Sequence, residues 1–128
     1  MKRLLATTLL SLACFAAHAE WVLVSESLNR EFKFYADPTT KKRTGNVVRV
    51  WQLHDYAKPH VVNIKPYYSD KIYMRYDCVE KTSQTLQIHS FVGRMGSGEM
   101  EGAANKPGDE LSVPPNSITE QLLNFVCK

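Results

Sequence analysis

This chain of 128 residues contains only three cysteines, and neither sign of charge is present in large excess. None of the three cysteines is part of a C-x-x-C motif, so a dithiol redox site or a zinc site is not expected. The 16 basic residues nearly balance the 13 acidic ones. Since little positive charge remains to attract phosphates, nucleic acid is not expected as a partner.

The chain also lacks a recognisable catalytic arrangement. His54 and Asp55 are neighbours in a predicted strand, which would point their side chains to opposite faces. The glycine-rich segment 93–98 has no following lysine and opens no predicted helix, so it does not fit a phosphate-binding loop. We therefore predict that the protein is not an enzyme and uses no cofactor or metal.

The long apolar run of the chain lies at its N-terminus. Lys2 and Arg3 precede the apolar segment 4–17, and Ala17-His18-Ala19 matches the A-x-A pattern of a signal-peptidase site. The run is too short to span a membrane, and no other candidate transmembrane helix follows. We predict that residues 1–19 are a signal peptide and that residues 20–128 are a single exported domain, periplasmic or secreted. Loss of Lys2 and Arg3 would lower the net charge from +3 to about +1.

Cys14 leaves a second interpretation of the leader open. The segment 11–14, Ser-Leu-Ala-Cys, is a poor version of the lipoprotein box, and bulky Phe15 follows it. The alternative to cleavage after Ala19 is therefore an outer-membrane lipoprotein that is anchored through Cys14.

The two remaining cysteines, Cys78 and Cys127, are far apart in the sequence. Export would place them in an oxidising compartment, where such a pair favours a structural disulfide. We predict this disulfide, which would close a loop of about 50 residues and contribute roughly 4 kcal/mol in the chain-entropy model.

Alternating and apolar segments predict a sheet. In segment 72–79, Ile72, Met74, Tyr76 and Cys78 share one face. The predicted strands are 21–24, 31–36, 46–55, 72–79, 85–92 and 99–102. The segment 46–55 is partly apolar on both faces, which predicts that it is covered on both sides at one end. The segment 56–70 contains two prolines and is predicted to be a loop.

One helix is predicted at the C-terminal end. Ser117 is the expected N-cap, and Glu120 would complete a capping box. Ile118, Leu122, Phe125 and Val126 share one helical face. The predicted fold is therefore α+β: a small twisted antiparallel sheet of about five to six strands, with the helix packed on one face and tethered by the disulfide.

Basic and aromatic residues in the predicted loops form a candidate binding surface. It consists of Lys41, Lys42, Arg43, Tyr56, Tyr67 and Tyr68. Exposed aromatic and cationic side chains are typical of recognition surfaces. Two alternatives stay open: the basic segment is a solvated hairpin end, and the tyrosine rings pack on the sheet.

Several motifs occur in an order that resembles the surface-adhesin protein E family of Gram-negative bacteria. They are Glu-Trp-Val-Leu-Val at 20–24, the segments 34–38 and 45–51, Tyr-Asp-Cys at 76–78, the glycine turn at 93–98, and Val-Pro-Pro-Asn-Ser at 113–117 before a terminal Val-Cys. The resemblance implies a sheet with a disulfide-tethered helix and a dimer. The family's namesake is an outer-membrane lipoprotein that binds laminin and vitronectin, and its ligand-binding segments have no residue-by-residue match in this chain.

We accordingly predict an exported, adhesin-like binding module that recognises a host matrix or serum protein such as laminin or vitronectin. Exposed sheet edges would allow a homodimer. The alternative function is that of a non-enzymatic accessory or structural protein of the periplasm or envelope. Fold alone does not decide between these functions.

Overall fold

The computed structural model describes residues 18–62 and 64–128. Cys14 and the first 17 residues of the predicted signal peptide lie outside the described residues. The strands are β1 Val22–Glu26, β2 Phe32–Ala36, β3 Lys42–Thr44, β4 Val47–Val62, β5 Lys65–Asp77, β6 Thr82–Phe91, β7 Met100–Ala104 and β8 Leu111–Ser112, and the helix is α1 Ile118–Val126.

The eight strands form one antiparallel sheet, which confirms the predicted fold class. The main order is β1-β2-β4-β5-β6-β7. Two short strands extend it, since β3 pairs with the start of β4 and β8 pairs with the start of β6. The sheet therefore has more strands than predicted, because two- and three-residue strands carry too little alternation to be detected in the sequence.

The prediction of a loop at residues 56–70 was wrong. Residues 56–62 belong to β4 and residues 65–70 belong to β5, and these two paired strands continue beyond the ends of their neighbours. β2 begins opposite Tyr56, and β6 ends opposite Ser69. We call residues 57–62 and 64–68 the projecting ribbon. Both of its strands are edges, where a proline without an N–H group is tolerated, and the register of β4 shifts around Pro59.

The core lies between α1 and one face of the sheet. Val48 and Val50 of β4 and Tyr76 of β5 are fully buried there, as the alternation in the sequence predicts. From α1, Leu122 and Val126 are buried against them. Each such aliphatic side chain contributes roughly 1.5–3 kcal/mol to folding.

A hydrogen-bonded N-cap and a disulfide hold the two ends of α1. The Ser117 hydroxyl accepts a hydrogen bond from the Glu120 N–H at 3.1 Å, which confirms the N-cap. The Glu120 carboxylate accepts from the N–H of Asn116 at 3.2 Å, one residue before the position that a capping box predicts. At the other end, Cys127 is bonded to Cys78 with an S–S distance of 2.07 Å and a Cα–Cα distance of 5.7 Å.

The end of the sheet next to the projecting ribbon, which we call the far end, is also covered on the face opposite α1. The turn Arg94–Gly96 folds over it, where Arg94 binds buried Asp55 and the Gly96 N–H donates to Ser69 Oγ at 2.8 Å. Gly96 has φ 70°, a left-handed backbone conformation that favours glycine in this turn. β4 is therefore buried on both faces at this end, and Leu53 has no exposed surface. Within the described ranges, no helix is long and apolar enough to cross a membrane.

Candidate functional site

The sheet face opposite α1 is covered at its far end only, and we call the remainder the open face. At its centre the half-buried rings of Trp51 on β4 and Tyr73 on β5 stack, with their centroids 5.0 Å apart. The two residues are direct cross-strand partners. His89 on β6 adds a third ring at 5.7 Å from Trp51. Adjacent aromatic rings present a large, rigid contact area to a partner.

A row of three cations lies beside these rings. Lys42 is the cross-strand partner of Arg49, and Arg49 is the partner of Arg75, so the three side chains follow one line across β3, β4 and β5. Glu110 is the acidic neighbour of this row, with its Oε1 atom 3.5 Å from Arg75 Nη1. Like charges in directly opposite positions destabilise a sheet. The row therefore favours an anionic partner that would relieve the repulsion.

A groove continues the open face toward the start of the chain. It has a volume of about 300 Å³ and is lined by Trp21, Trp51, His89 and Phe91, together with the acid Asp37. The ammonium of Lys71 also lines it and lies 4.9 Å from the centre of the Phe91 ring. The open face is thus aromatic along its middle and basic along one side.

The three basic residues 41–43 of the predicted binding surface point to two different parts of the molecule. Lys42 lies next to Trp51 and Tyr73 on the open face. Lys41 and Arg43 point to the C-terminal end of α1, where they donate to the carbonyl oxygens of Lys128 and Cys127, each at 3.3 Å. Cations are favourable at this end of a helix, so these two have a structural role.

The predicted tyrosines lie at the other end of the sheet. Tyr56 is buried, stacks on His60 with a centroid distance of 4.0 Å, and donates its hydroxyl hydrogen to Asp70 at 2.5 Å. Burial and the Asp70 carboxylate raise the pKa of Tyr56. Tyr67 contacts the same cluster, with its ring 6.0 Å from that of Tyr56. Tyr68 is half-buried close to Arg94.

The structure does not bring the predicted residues into one surface. Tyr56 lies seven residues along β4 from Arg49, the partner of Lys42, which separates them by roughly 23 Å. Sequence reasoning missed the central residues of the open face. A signal was present: Arg49 and Trp51 on one strand, and Tyr73 and Arg75 on another, each place a cation two residues from an aromatic ring. Their alignment depends on the cross-strand register, which one sequence does not reveal.

A second concave site lies on the helix-covered face. It is a cleft of about 380 Å³ between the start of α1 and the sheet. At its base the Tyr76 hydroxyl donates to Gln52 Oε1 at 2.7 Å, and Gln52 Nε2 lies 3.1 Å from His54 Nε2. Desolvation lowers the pKa of His54 to about 4, so the imidazole is neutral at pH 7. Across residues 18–62 and 64–128, no three His, Cys, Asp or Glu side chains are arranged to hold a metal ion.

Comparison with solved structures finds the same fold in protein E of Haemophilus influenzae. One structure matches with a TM-score of 0.66 at 15% identity, covering 84% of this chain and 83% of that one. A second crystal form matches with a TM-score of 0.64 at 14% identity, over 85% and 96% of the two chains. Protein E from a non-typeable strain matches with a TM-score of 0.63 at 15% identity, over 84% and 74%.

Comparison with curated protein sequences finds no match. The sequence profile described as "Surface-adhesin protein E" matches residues 21–128, a range that includes every strand and helix that the structure describes. The resemblance that the motifs indicated is thereby confirmed, and the chain belongs to the surface-adhesin protein E family.

Proposed function

We propose that this domain is an adhesin-like binding module that holds an acidic segment of an extracellular protein on its open face. One observation carries the proposal: the cation row formed by Lys42, Arg49 and Arg75 lies directly beside the Trp51–Tyr73 stack. Central aromatic anchors with flanking basic side chains are the usual source of affinity in protein interfaces. Family membership supports an adhesin-like role, and laminin and vitronectin are the ligands to test first.

The arrangement predicts that the aromatic rings determine the affinity and that the cations determine the rate of association. Trp51 and Tyr73 would lose their remaining exposed area on binding and account for most of the binding energy. The cations stay near the rim, so they would accelerate association and make it sensitive to salt.

Charge reversal and truncation on the open face test this proposal. We expect Trp51→Ala and the double variant Arg49→Glu with Lys42→Glu each to weaken binding to immobilised laminin or vitronectin at least tenfold, as measured by surface plasmon resonance. Heparin serves as a second probe for the charge variant. Arg30→Glu is the matched control, because Arg30 is exposed in the turn between β1 and β2, at the end of the sheet where β2 pairs with Tyr56.

Equal affinities of these variants and the wild type, with unchanged thermal unfolding, would place the ligand elsewhere. The tyrosines of the projecting ribbon, Tyr67 and Tyr68, would then be the next residues to replace. Absence of saturable binding to all three probes would contradict the adhesin-like role.

Cellular location separates this proposal from the alternative of a periplasmic accessory protein. Protease treatment of intact cells should remove an adhesin from the cell surface, provided that the outer membrane is closed. Protection that is lost when the outer membrane is opened would favour the periplasmic alternative.

A further inference from the structure

Asp37 is a buried acid at the end of β2. Only 2% of the surface of this residue is exposed. It caps the short 3-10 helix Pro38–Thr40, where Oδ1 accepts hydrogen bonds from the Thr39 N–H at 3.0 Å and from the Thr39 hydroxyl at 2.5 Å. These hydrogen bonds use one oxygen of the Asp37 carboxylate, so the other oxygen needs a separate hydrogen-bond donor.

The second oxygen is bonded to the backbone at the start of the folded domain. Glu20 N lies 3.2 Å from Asp37 Oδ2. The pairing of β1 with β2, in which Val22 is opposite Ala36, guides the chain past this point. Oδ2 makes no other hydrogen bond to the residues that the structure describes.

Asp37 has no side-chain cation as a partner. None of the salt bridges among the described residues includes it, although Lys71 and His89 line the same groove. Asp55, which is equally buried, has the guanidinium of Arg94 at 2.6 Å. A buried carboxylate is costly to desolvate without a paired charge.

We propose that cleavage of the Ala19–Glu20 bond, which the sequence predicts as the signal-peptidase site, creates the missing charged partner of Asp37. Hydrolysis of the amide consumes one water molecule. The C–N bond breaks, the water oxygen bonds to the Ala19 carbonyl carbon to give a carboxylate, and both water protons end on the Glu20 nitrogen as an ammonium group. That nitrogen already lies 3.2 Å from the carboxylate, so a neutral N–H donor becomes the cation of a part-buried ion pair.

Cleavage at Glu20 would couple export to folding. With the leader attached, the Asp37 carboxylate accepts hydrogen bonds from neutral donors. After cleavage, one of its donors is the charged ammonium group of Glu20. The domain therefore reaches its full stability as the processed chain, after it has crossed the membrane. A chain that is lipidated at Cys14 would keep the peptide bond at Glu20 and would not gain this pair.

Two forms of the domain test the inference directly. One begins at Glu20, released from a fusion by a protease that leaves no extra residue, and the other carries Gly-Ser before Glu20. We expect the unfolding equilibrium constant of the extended form to be at least tenfold larger in urea denaturation at pH 7. Mass spectrometry of the exported protein should give an N-terminus at Glu20. Equal stability of the two forms, or a different native N-terminus, would overturn the inference.

Asp37→Asn is the matched variant, because it keeps the size of the side chain and removes the charge. The difference between the two forms should disappear in this background. If Asp37→Asn does not fold, selective acetylation of the α-amino group at pH 6.5 gives the same information, since it keeps an N–H donor and removes the charge. The acetylated Glu20 form should then match the extended form, and full retention of its stability would exclude an ion pair.

Discussion

His54 shows how the position of a single side chain sets a pH dependence. Its pKa is lowered from 6.5 to about 4, because burial removes the hydration of the imidazolium, and the nearby Asp70 carboxylate opposes this shift weakly. The folded state therefore takes up the proton at lower pH than the unfolded state does. The corresponding stability is fully present above pH 6.5 and is lost as the pH falls toward 4.

We expect this loss to reach about 3 kcal/mol in the free energy of unfolding between pH 7.5 and pH 4. Urea denaturation at several pH values should show a shallower acid destabilisation for His54→Gln than for the wild type. His89→Gln controls for the removal of one imidazole, since His89 lies on the open face. Identical pH profiles for the wild type and His54→Gln would contradict the prediction.

Helix α1 is the element whose stability depends most on distant residues. Its nine residues are too few to persist alone in water, so packing and the Cys78–Cys127 bond must hold it. The bond closes a loop with a sequence separation of 49, for which the expected stabilisation is about 2–4 kcal/mol.

Cys127→Ser should lower the free energy of unfolding by about 2–4 kcal/mol and expose segment 117–128 to proteolysis. Thermal unfolding and limited proteolysis with identification of the cut sites measure the two effects. The double variant Cys78→Ser with Cys127→Ser should behave like the single one, because both lack the same bond. A proteolysis pattern identical to that of the wild type would show that packing alone holds α1.

Elements with a strong local signal were predictable from the sequence, and those that depend on pairing were not. The face of Ile72, Met74 and Tyr76 and the N-cap Ser117 follow from alternation and local hydrogen bonding, and both were predicted. The projecting ribbon was missed because two prolines argue against a strand unless the strand is known to be an edge. The cation row was missed because Lys42, Arg49 and Arg75 come together through register alone.

At the scale of the whole molecule, the main strand order ends in two strands that have an unpaired side among the described residues. β1 forms one edge and exposes Val22 by 40% and Leu23 by 49%. β7 forms the other and exposes Met100 by 50%. Unpaired edges with apolar side chains favour strand pairing between copies.

We predict a homodimer in which β1 pairs with β1 of a second copy, because a two-fold axis makes an antiparallel edge self-complementary. Light scattering should give twice the mass of the processed chain. Leu23→Glu should shift the protein to a monomer, since the two added carboxylates would lie near the axis, whereas Met100→Glu at the other edge should not. A monomeric wild type at working concentrations would reject this prediction.

The disulfide also determines how the domain would respond to being pulled. Tension that enters at Lys128 reaches Cys127 and crosses the sulfur bridge to Cys78, so it bypasses segment 79–126. That segment contains β6, β7, β8 and α1, and none of them can be stretched while the bridge is intact. The mechanical load falls on the first five strands, which include the stacked rings of Trp51 and Tyr73. For a chain pulled at its two ends, the reducible sulfur bond would then set the length to which the domain can extend.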